Sequence, residues 1–256
     1  RMEEHLKQEH TEIIKIAIKS LGLDDLKPFN PKEKIIEYLL EDTTQKRLID
    51  FTCKEFANET ASESPAPGGG SVSAYLGALG VSLGTMVANL SSHKPGWDER
   101  WEEFSHWAEK GQALKDELLY LVDEDTASFN KIMDAFSLPK STDAEKEART
   151  NAIQEATKYA TEVPFRTMQK AYDSMELLKA MTITGNPNSV TDAGVGALCA
   201  RTAVIGAFLN VKINASGLTD KKFVNDIIAK GKDIEEKTKL LESEILAIVE
   251  EKIKCN

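Results

Sequence analysis

The sequence predicts an all-α protein, a bundle of long antiparallel helices around two central helices rich in small residues. Three observations carry that prediction. No run alternates apolar and polar residues with period two, and no hairpin turn separates β-branched segments. Helix start and stop signals recur along the whole chain. Two long stretches, around residues 71–92 and 189–208, are poor in charge and crowded with Gly, Ala and Ser.

Taken in order, residues 10–21 carry Ile13, Ile14, Ile16, Ala17 and Ile18 and stop at Gly22. Asn30-Pro31 reads as an N-cap with proline in the first turn, opening a short helix through Leu40. A further helix is expected from about Thr44 to Asn58. Residues 59–70 (ETASESPAPGGG) form a loop by composition. A helix from Ser71 to about Ser92 follows, then a break at His93–Gly96. The chain is helical again from Trp97 to Phe136, with a candidate break near Lys110–Gly111. Leu138-Pro139-Lys140 ends that run, and Thr142-Asp143-Ala144-Glu145 is a capping box that starts the next. Pro164 marks a kink or restart. Residues 185–188 are a turn, Ser189–Phe208 is helical, and a last amphipathic helix follows Gly217–Asp220 and runs to about Ile253. Residues 1–42 form a lead-in and 43–256 the main helical domain.

At 256 residues, 41% hydrophobic and 29% charged, the chain can bury a core of ordinary size. Its 32 Lys and Arg against 42 Asp and Glu give a net charge of −10, which disfavours nucleic acid and anionic membranes as partners. Cys53, Cys199 and Cys255 share no ligand-like spacing, and the four histidines form no HExxH pattern. Neither a disulfide framework nor a metal site is expected. The polar start lacks a signal peptide, so the expected location is cytoplasmic and the sequons at Asn58, Asn89 and Asn214 are chance matches.

Pro65–Ser92 contains no charged residue, a length that invites a membrane-spanning reading. Glycines 77, 80 and 84 and several serines dilute its hydrophobicity, and no aromatic belt or basic flank accompanies it. A core helix fits better. Ser73, Gly77, Gly80 and Ala88 recur at helical spacing as a flat face, and Ala193, Ala197, Ala200, Val204 and Ala207 supply the partner face. Gly68, Gly69, Gly70 and Ser71 place unhindered N–H groups at a helix start, where an anion or carbonyl oxygen can bind, although such clusters also serve as plain joints.

Leu114, Leu118, Leu121, Val122, Phe129, Ile132, Met133 and Phe136 form one apolar stripe, and Asp125 falls in its middle. Asp123, two positions earlier, points away and is expected to be solvated. A carboxyl on a core face must be paired, hydrogen-bonded or set in a wet cavity. Asp125 is therefore either an ion-pair member, with Arg166 or Arg201, or a group at a water-reached edge, or an acid–base residue whose pKa burial has raised. Asp192 and Arg201 carry the same ambiguity. Asn210 and Asn214, flanking Lys212 just past the helix's apolar run, are caps or readers of a heterocycle's edge. Lys212, Lys221 and Lys222 form a small basic cluster.

Three sets of residues together resemble the cyclodeaminase/cyclohydrolase family of folate enzymes. They are Ser64-Pro65-Ala66-Pro67-Gly68-Gly69-Gly70-Ser71 with Leu79–Val87, Leu121-Val122-Asp123-Glu124-Asp125 with Ala135–Lys140, and Gly206–Asn214. Residues 21–40 resemble the linker between formiminotransferase and cyclodeaminase in the bifunctional enzyme. This implies either the C-terminal part of a fusion or a free cyclodeaminase that keeps the linker.

The resemblance implies an all-helical homodimer that converts 5-formiminotetrahydrofolate to 5,10-methenyltetrahydrofolate and ammonia, a lyase step of one-carbon metabolism and histidine degradation. Asp125 aligns with the family's catalytic aspartate, and no metal or redox cofactor is implied. Gly68, Gly69, Gly70, Ser71, Asp192, Asn210 and Asn214 are the candidate folate-binding residues. Lys212 or Lys222 would meet a polyglutamate tail. The alternatives are a methenyltetrahydrofolate cyclohydrolase and a non-catalytic helical dimerisation module.

Overall fold

The computed structural model describes residues 17–23, 25, 29–30, 34 and 46–254, and every regular element among them is helical. The chain divides into two compact units, Arg1–Lys46 and Arg47–Asn256. In the first, residues 17–20 are helical and Gly22 follows at φ 63°, with the Leu23 N–H reaching back 3.0 Å to the Ile18 carbonyl. This is the glycine stop that the spacing predicts. The remainder of the helices expected at 10–21 and 31–40 lies outside the described residues.

The second unit opens with a 3-10 turn, Leu48–Asp50, and then α1 (Cys53–Thr60). The helix expected from Thr44 starts later because Thr52 and Glu55 form a capping box: the Thr52 hydroxyl accepts from the Glu55 N–H, and Glu55 accepts from the Thr52 N–H. Four long helices form the body: α2 (Gly69–Ser92), α3 (Trp101–Ser137), α4 (Asp143–Thr184) and α5 (Val190–Ser216). The closing helix is α6 (Lys221–Lys254). Thr142 and Glu145 cap α4 as predicted.

Three further boundaries differ from expectation. α3 runs through Gly111 without a break, because glycine lets it press against Thr85 of α2, where a Cβ would overlap the hydroxyl. α4 likewise runs through Pro164, whose buried ring sits inside the bundle. α5 continues past Phe208 to Ser216, so Asn210 and Asn214 lie within the helix rather than beyond it.

α2 and α5 are the centre of the unit. Both are long and apolar enough to cross a membrane by length and hydropathy alone, yet 61% and 50% of their most apolar windows are buried within the protein. Small residues allow them to touch backbone to backbone. A Cβ on Gly80 would stand 2.8 Å from the Gly196 carbonyl oxygen and 3.0 Å from the Cys199 Cβ. The core then grows outward through Val87, Phe104, Leu177 and Ile245 at one end and Met168, Phe208 and Ile227 at the other.

Candidate active site

The stripe on α3 is only half core. Leu114, Leu118, Leu121 and Val122 are buried, whereas Phe129, Met133 and Phe136 are exposed. α2 begins at Gly69, level with Asp125, so nothing from α2 covers α3 beyond that point. Asp125 stands where the core ends and a cavity starts.

One carboxylate oxygen of Asp125 accepts two hydrogen bonds from Ser71, from the main-chain N–H at 2.9 Å and from the hydroxyl at 3.1 Å. Ser71 lies in the first turn of α2, whose N-cap, Gly68, has no side chain to offer. Asp125 thus supplies from another helix the carboxylate that an N-cap residue supplies locally. Gly70 makes room for it, since a Cβ there would overlap the carboxyl group. Burial pushes the Asp125 pKa above the ordinary carboxylate value, and the two Ser71 hydrogen bonds pull against that shift. The ion-pair expectation is overturned. Arg201 pairs with Glu242 at 3.5 Å, and Arg166 lies beside the Tyr159 ring.

Asp125 faces a cavity of about 130 Å³, lined also by Pro65, Ala66, Gly68, Gly69, Gly70, Thr126, Ser128, Phe129, Ile132, Ala160, Asn210 and Asn214. The loop enters it through a cis Ala66–Pro67 bond. Both asparagines are oriented by main-chain carbonyls. Asn210 Nδ2 donates 2.9 Å to Gly206 O, and Asn214 Nδ2 donates 2.7 Å to Ala160 O. The second bond has a cause in the sequence. Pro164, four residues after Ala160, has no N–H to give the Ala160 carbonyl, and Asn214 takes its place. The amide oxygens of both asparagines accept nothing among the described residues. The cavity therefore offers a carboxyl group and two carbonyl oxygens to N–H donors, beside the first N–H groups of α2. It can hold a nitrogen-rich heterocycle and move a proton.

The structure thus gathers Asp125, Gly68, Gly69, Gly70, Ser71, Asn210 and Asn214. It does not bring Asp192 or Lys212 to them. Asp192 is in the first turn of α5, eighteen residues before Asn210, or about 27 Å along the helix axis. Lys212 projects from the opposite side of α5 to Asn210 and Asn214, its ammonium 3.8 Å above the Phe208 ring. Lys222 is exposed on α6. Asp123 is also not solvated as expected. One of its oxygens accepts the Leu48 N–H at 2.6 Å, the other is buried, and burial raises its pKa against the pull of the Leu48 and Ile49 N–H groups. Sequence reasoning missed Thr126, Ala160 and the cavity role of Phe129 and Ile132. Pro164 was the signal for Ala160. No group of three or more metal-ligating side chains occurs among the described residues.

The model of the formiminotransferase-cyclodeaminase family matches residues 52–233, most of the chain and every cavity residue. The chain belongs to the formiminotransferase-cyclodeaminase family. A formiminotransferase-domain model matches residues 1–41 as well. Among family members, the chain is 36% identical to the formimidoyltransferase-cyclodeaminase of Gallus gallus over 248 residues, 96% of this chain and 46% of that protein. It is 38% identical to a methenyltetrahydrofolate cyclohydrolase of Methylorubrum extorquens over 175 residues, 68% of this chain and 84% of that enzyme. The crystal structure of a formiminotetrahydrofolate cyclodeaminase from Thermotoga maritima superposes with a TM-score of 0.70 at 26% identity, covering 79% of this chain and 98% of that one. The chain spans less than half the length of the bifunctional relatives it matches.

Proposed function

We propose that the chain is a formimidoyltetrahydrofolate cyclodeaminase, converting 5-formiminotetrahydrofolate to 5,10-methenyltetrahydrofolate and ammonia with Asp125 as the acid–base group. The observation that carries this reading is the Asp125 carboxyl, which has one oxygen anchored by Ser71 and faces a small cavity that also holds the amide groups of Asn210 and Asn214.

The reaction begins from the protonated formimino group. Nitrogen 10 attacks the formimino carbon carried on nitrogen 5, and the carboxylate of Asp125 takes the proton that nitrogen 10 sheds. The tetrahedral adduct then carries a neutral amino group. Asp125, now a carboxylic acid, returns the proton to that group, the carbon–nitrogen bond breaks and ammonia leaves. The positive charge of the substrate remains on the methenyl bridge, so the step balances without water, metal or redox cofactor. A carboxyl group raised by burial suits both halves of this exchange. The Asn210 and Asn214 oxygens accept N–H bonds from the formimino group and the pterin edge. A formiminotransferase domain, fused or separate, would supply the substrate, in keeping with the match over residues 1–41.

A cyclohydrolase is the second reading, favoured by the similarity to the Methylorubrum enzyme. One assay separates the two. The protein is mixed with enzymatically prepared 5-formiminotetrahydrofolate, and methenyl absorbance and free ammonia are followed together. Ammonia and methenyl product in equal amounts support the deaminase. No acceleration there, with rapid hydrolysis of the methenyl compound to 10-formyltetrahydrofolate, would replace it with the hydrolase.

A further inference from the structure

Two lines of side chains leave the cavity together. On α3, Phe129, Ile132 and Phe136 follow Asp125 at steps of four, three and four residues, and so share its face of the helix. On α4, Ala156, Ile153 and Arg149 precede Ala160 at the same steps, on the face that Ala160 turns to the cavity. α3 and α4 are joined through residues 138–142 and pack as antiparallel neighbours, so both lines lead the same way. They also end together. Arg149 Nε and Nη2 donate to the Phe136 main-chain oxygen at 3.2 and 3.1 Å, and the guanidinium stands 5.5 Å from the Phe136 ring. Neither line is closed over: Phe129 and Phe136 are 41% and 49% exposed, and Ile132, Ala156 and Ile153 are half-buried. Eleven residues of helix, about 16 Å, separate Asp125 from Phe136. The track between them is apolar along its length and cationic at its end.

We propose that this track holds the p-aminobenzoylglutamate part of a folate, with the aryl ring along Phe129 and Ile132 and a glutamate carboxylate on Arg149. This rests on the folate substrate common to the deaminase and hydrolase readings. The cavity holds about 130 Å³, whereas pockets that enclose a small ligand whole measure about 300–1,000 Å³, so only the reacting end of a folate fits inside. The rest must lie on the surface beside it, and a flat aryl ring suits open aromatic and aliphatic side chains. The glutamate is an anion, and in a chain of net charge −10 it needs a local cation. Arg149 is free to serve. Arg47, Arg100 and Arg201 each hold a carboxylate, and Arg149 holds none among the described residues. Glu145, one turn before it, is taken by the N–H groups of Ser141 and Thr142. The bonds to Phe136 use one side of the guanidinium and leave the Nη1–Nη2 edge open to a carboxylate.

Calorimetry with 5-formyltetrahydrofolate and with 5-formyltetrahydropteroate, which lacks the glutamate, tests the subsite. The wild-type chain should bind the folate at least about tenfold more tightly, as a charge-assisted pair requires. Arg149→Gln, with helical circular dichroism intact, should bind the two alike, and Arg149→Lys should recover part of the preference. In turnover, Arg149→Gln should raise KM about tenfold and leave kcat within about twofold. If the variants fail to fold, the wild-type chain still decides through phenylglyoxal labelling of Arg149. 5-Formyltetrahydrofolate at about ten times its Kd should slow the labelling about tenfold, and the pteroate at equal saturation should leave it nearly unchanged. Equal affinity of the wild type for folate and pteroate overturns the proposal and leaves the folate reading standing. So does a glutamate preference kept in full by Arg149→Gln, which would reduce that arginine to a cap on the end of α3. A chain that binds neither ligand removes the folate reading and this subsite with it.

Discussion

Gly70 and the Asp125 carboxyl interlock: a Cβ added to Gly70 would lie 2.5 Å from Cγ of Asp125 and 2.6 Å from Oδ2. The glycine is there because the carboxyl is. Gly70→Ala should push the carboxyl out of its bonds with Ser71 and leave the helices formed. Methenyl formation should fall by at least about a hundredfold, equivalent to about 2.7 kcal/mol of transition-state stabilisation. Steady-state kinetics beside circular dichroism checks this, and a fully active Gly70→Ala protein would show that Asp125 need not stay where it is.

Burial governs the ionisation of Asp125, and Ser71 opposes it. Its hydroxyl and N–H bonds favour the carboxylate, while burial favours the acid. Ser71→Ala removes the hydroxyl bond alone, so the Asp125 pKa should move further up. The acid limb of the pH–rate profile, where the base becomes protonated, should then shift to higher pH. A shift downward, or none, would mean that the limb belongs to another group.

The same pKa direction carries a stability consequence. A carboxyl whose pKa is higher folded than unfolded penalises folding once it ionises. The penalty is absent below the unfolded pKa of about 3.9, grows as pH rises to the folded value, and is constant beyond. Asp125→Asn removes the charge and keeps an acceptor for Ser71. Its urea midpoint should therefore gain on the wild type as pH rises from about 4 to about 8. A variant that is less stable throughout would mean that the carboxylate is a net stabilising cap.

Asn214 and Pro164 should be coupled. With Pro164 present, Asn214→Ala leaves the buried Ala160 carbonyl without its donor, at a cost of about 1–3 kcal/mol. With Pro164→Ala, a main-chain N–H becomes available to that carbonyl and the cost of Asn214→Ala should shrink. A double-mutant cycle by urea unfolding should read an interaction of about 1 kcal/mol, and strictly additive effects would contradict the assignment. Lys212→Ala, on the far side of α5, should leave kcat and KM unchanged.

The helices and much of the site were legible because their causes are local. Thr142 and Glu145 announce a helix start by spacing alone, and the small residues of α2 and α5 show that two backbones meet. Asp125 was visible as a carboxyl on an apolar stripe. What it bonds was not, because Ser71 comes from a helix fifty-four positions away and a serine at a helix start looks like any cap. Arg166 and Arg201 carried the right charge for Asp125, but the fold directs Arg201 to Glu242. Asp192 and Lys212 failed for a geometric reason: sharing a helix with Asn210 says nothing of height along it or of side around it. Asp123 failed because the Leu48–Asp50 turn, seventy-five positions upstream, folds over it.

As the proposed acid–base group, Asp125 would move the proton that closes the ring and releases ammonia. The most direct test of that role is single-turnover methenyl formation from 5-formiminotetrahydrofolate by wild-type and Asp125→Asn protein, with binding measured separately by calorimetry. Asp125→Asn should bind the substrate with affinity near that of the wild type and form product about a thousandfold more slowly, within the range for loss of an acid–base group. Product formation within about tenfold of the wild type would contradict it and leave Asp125 only its bonds to the start of α2.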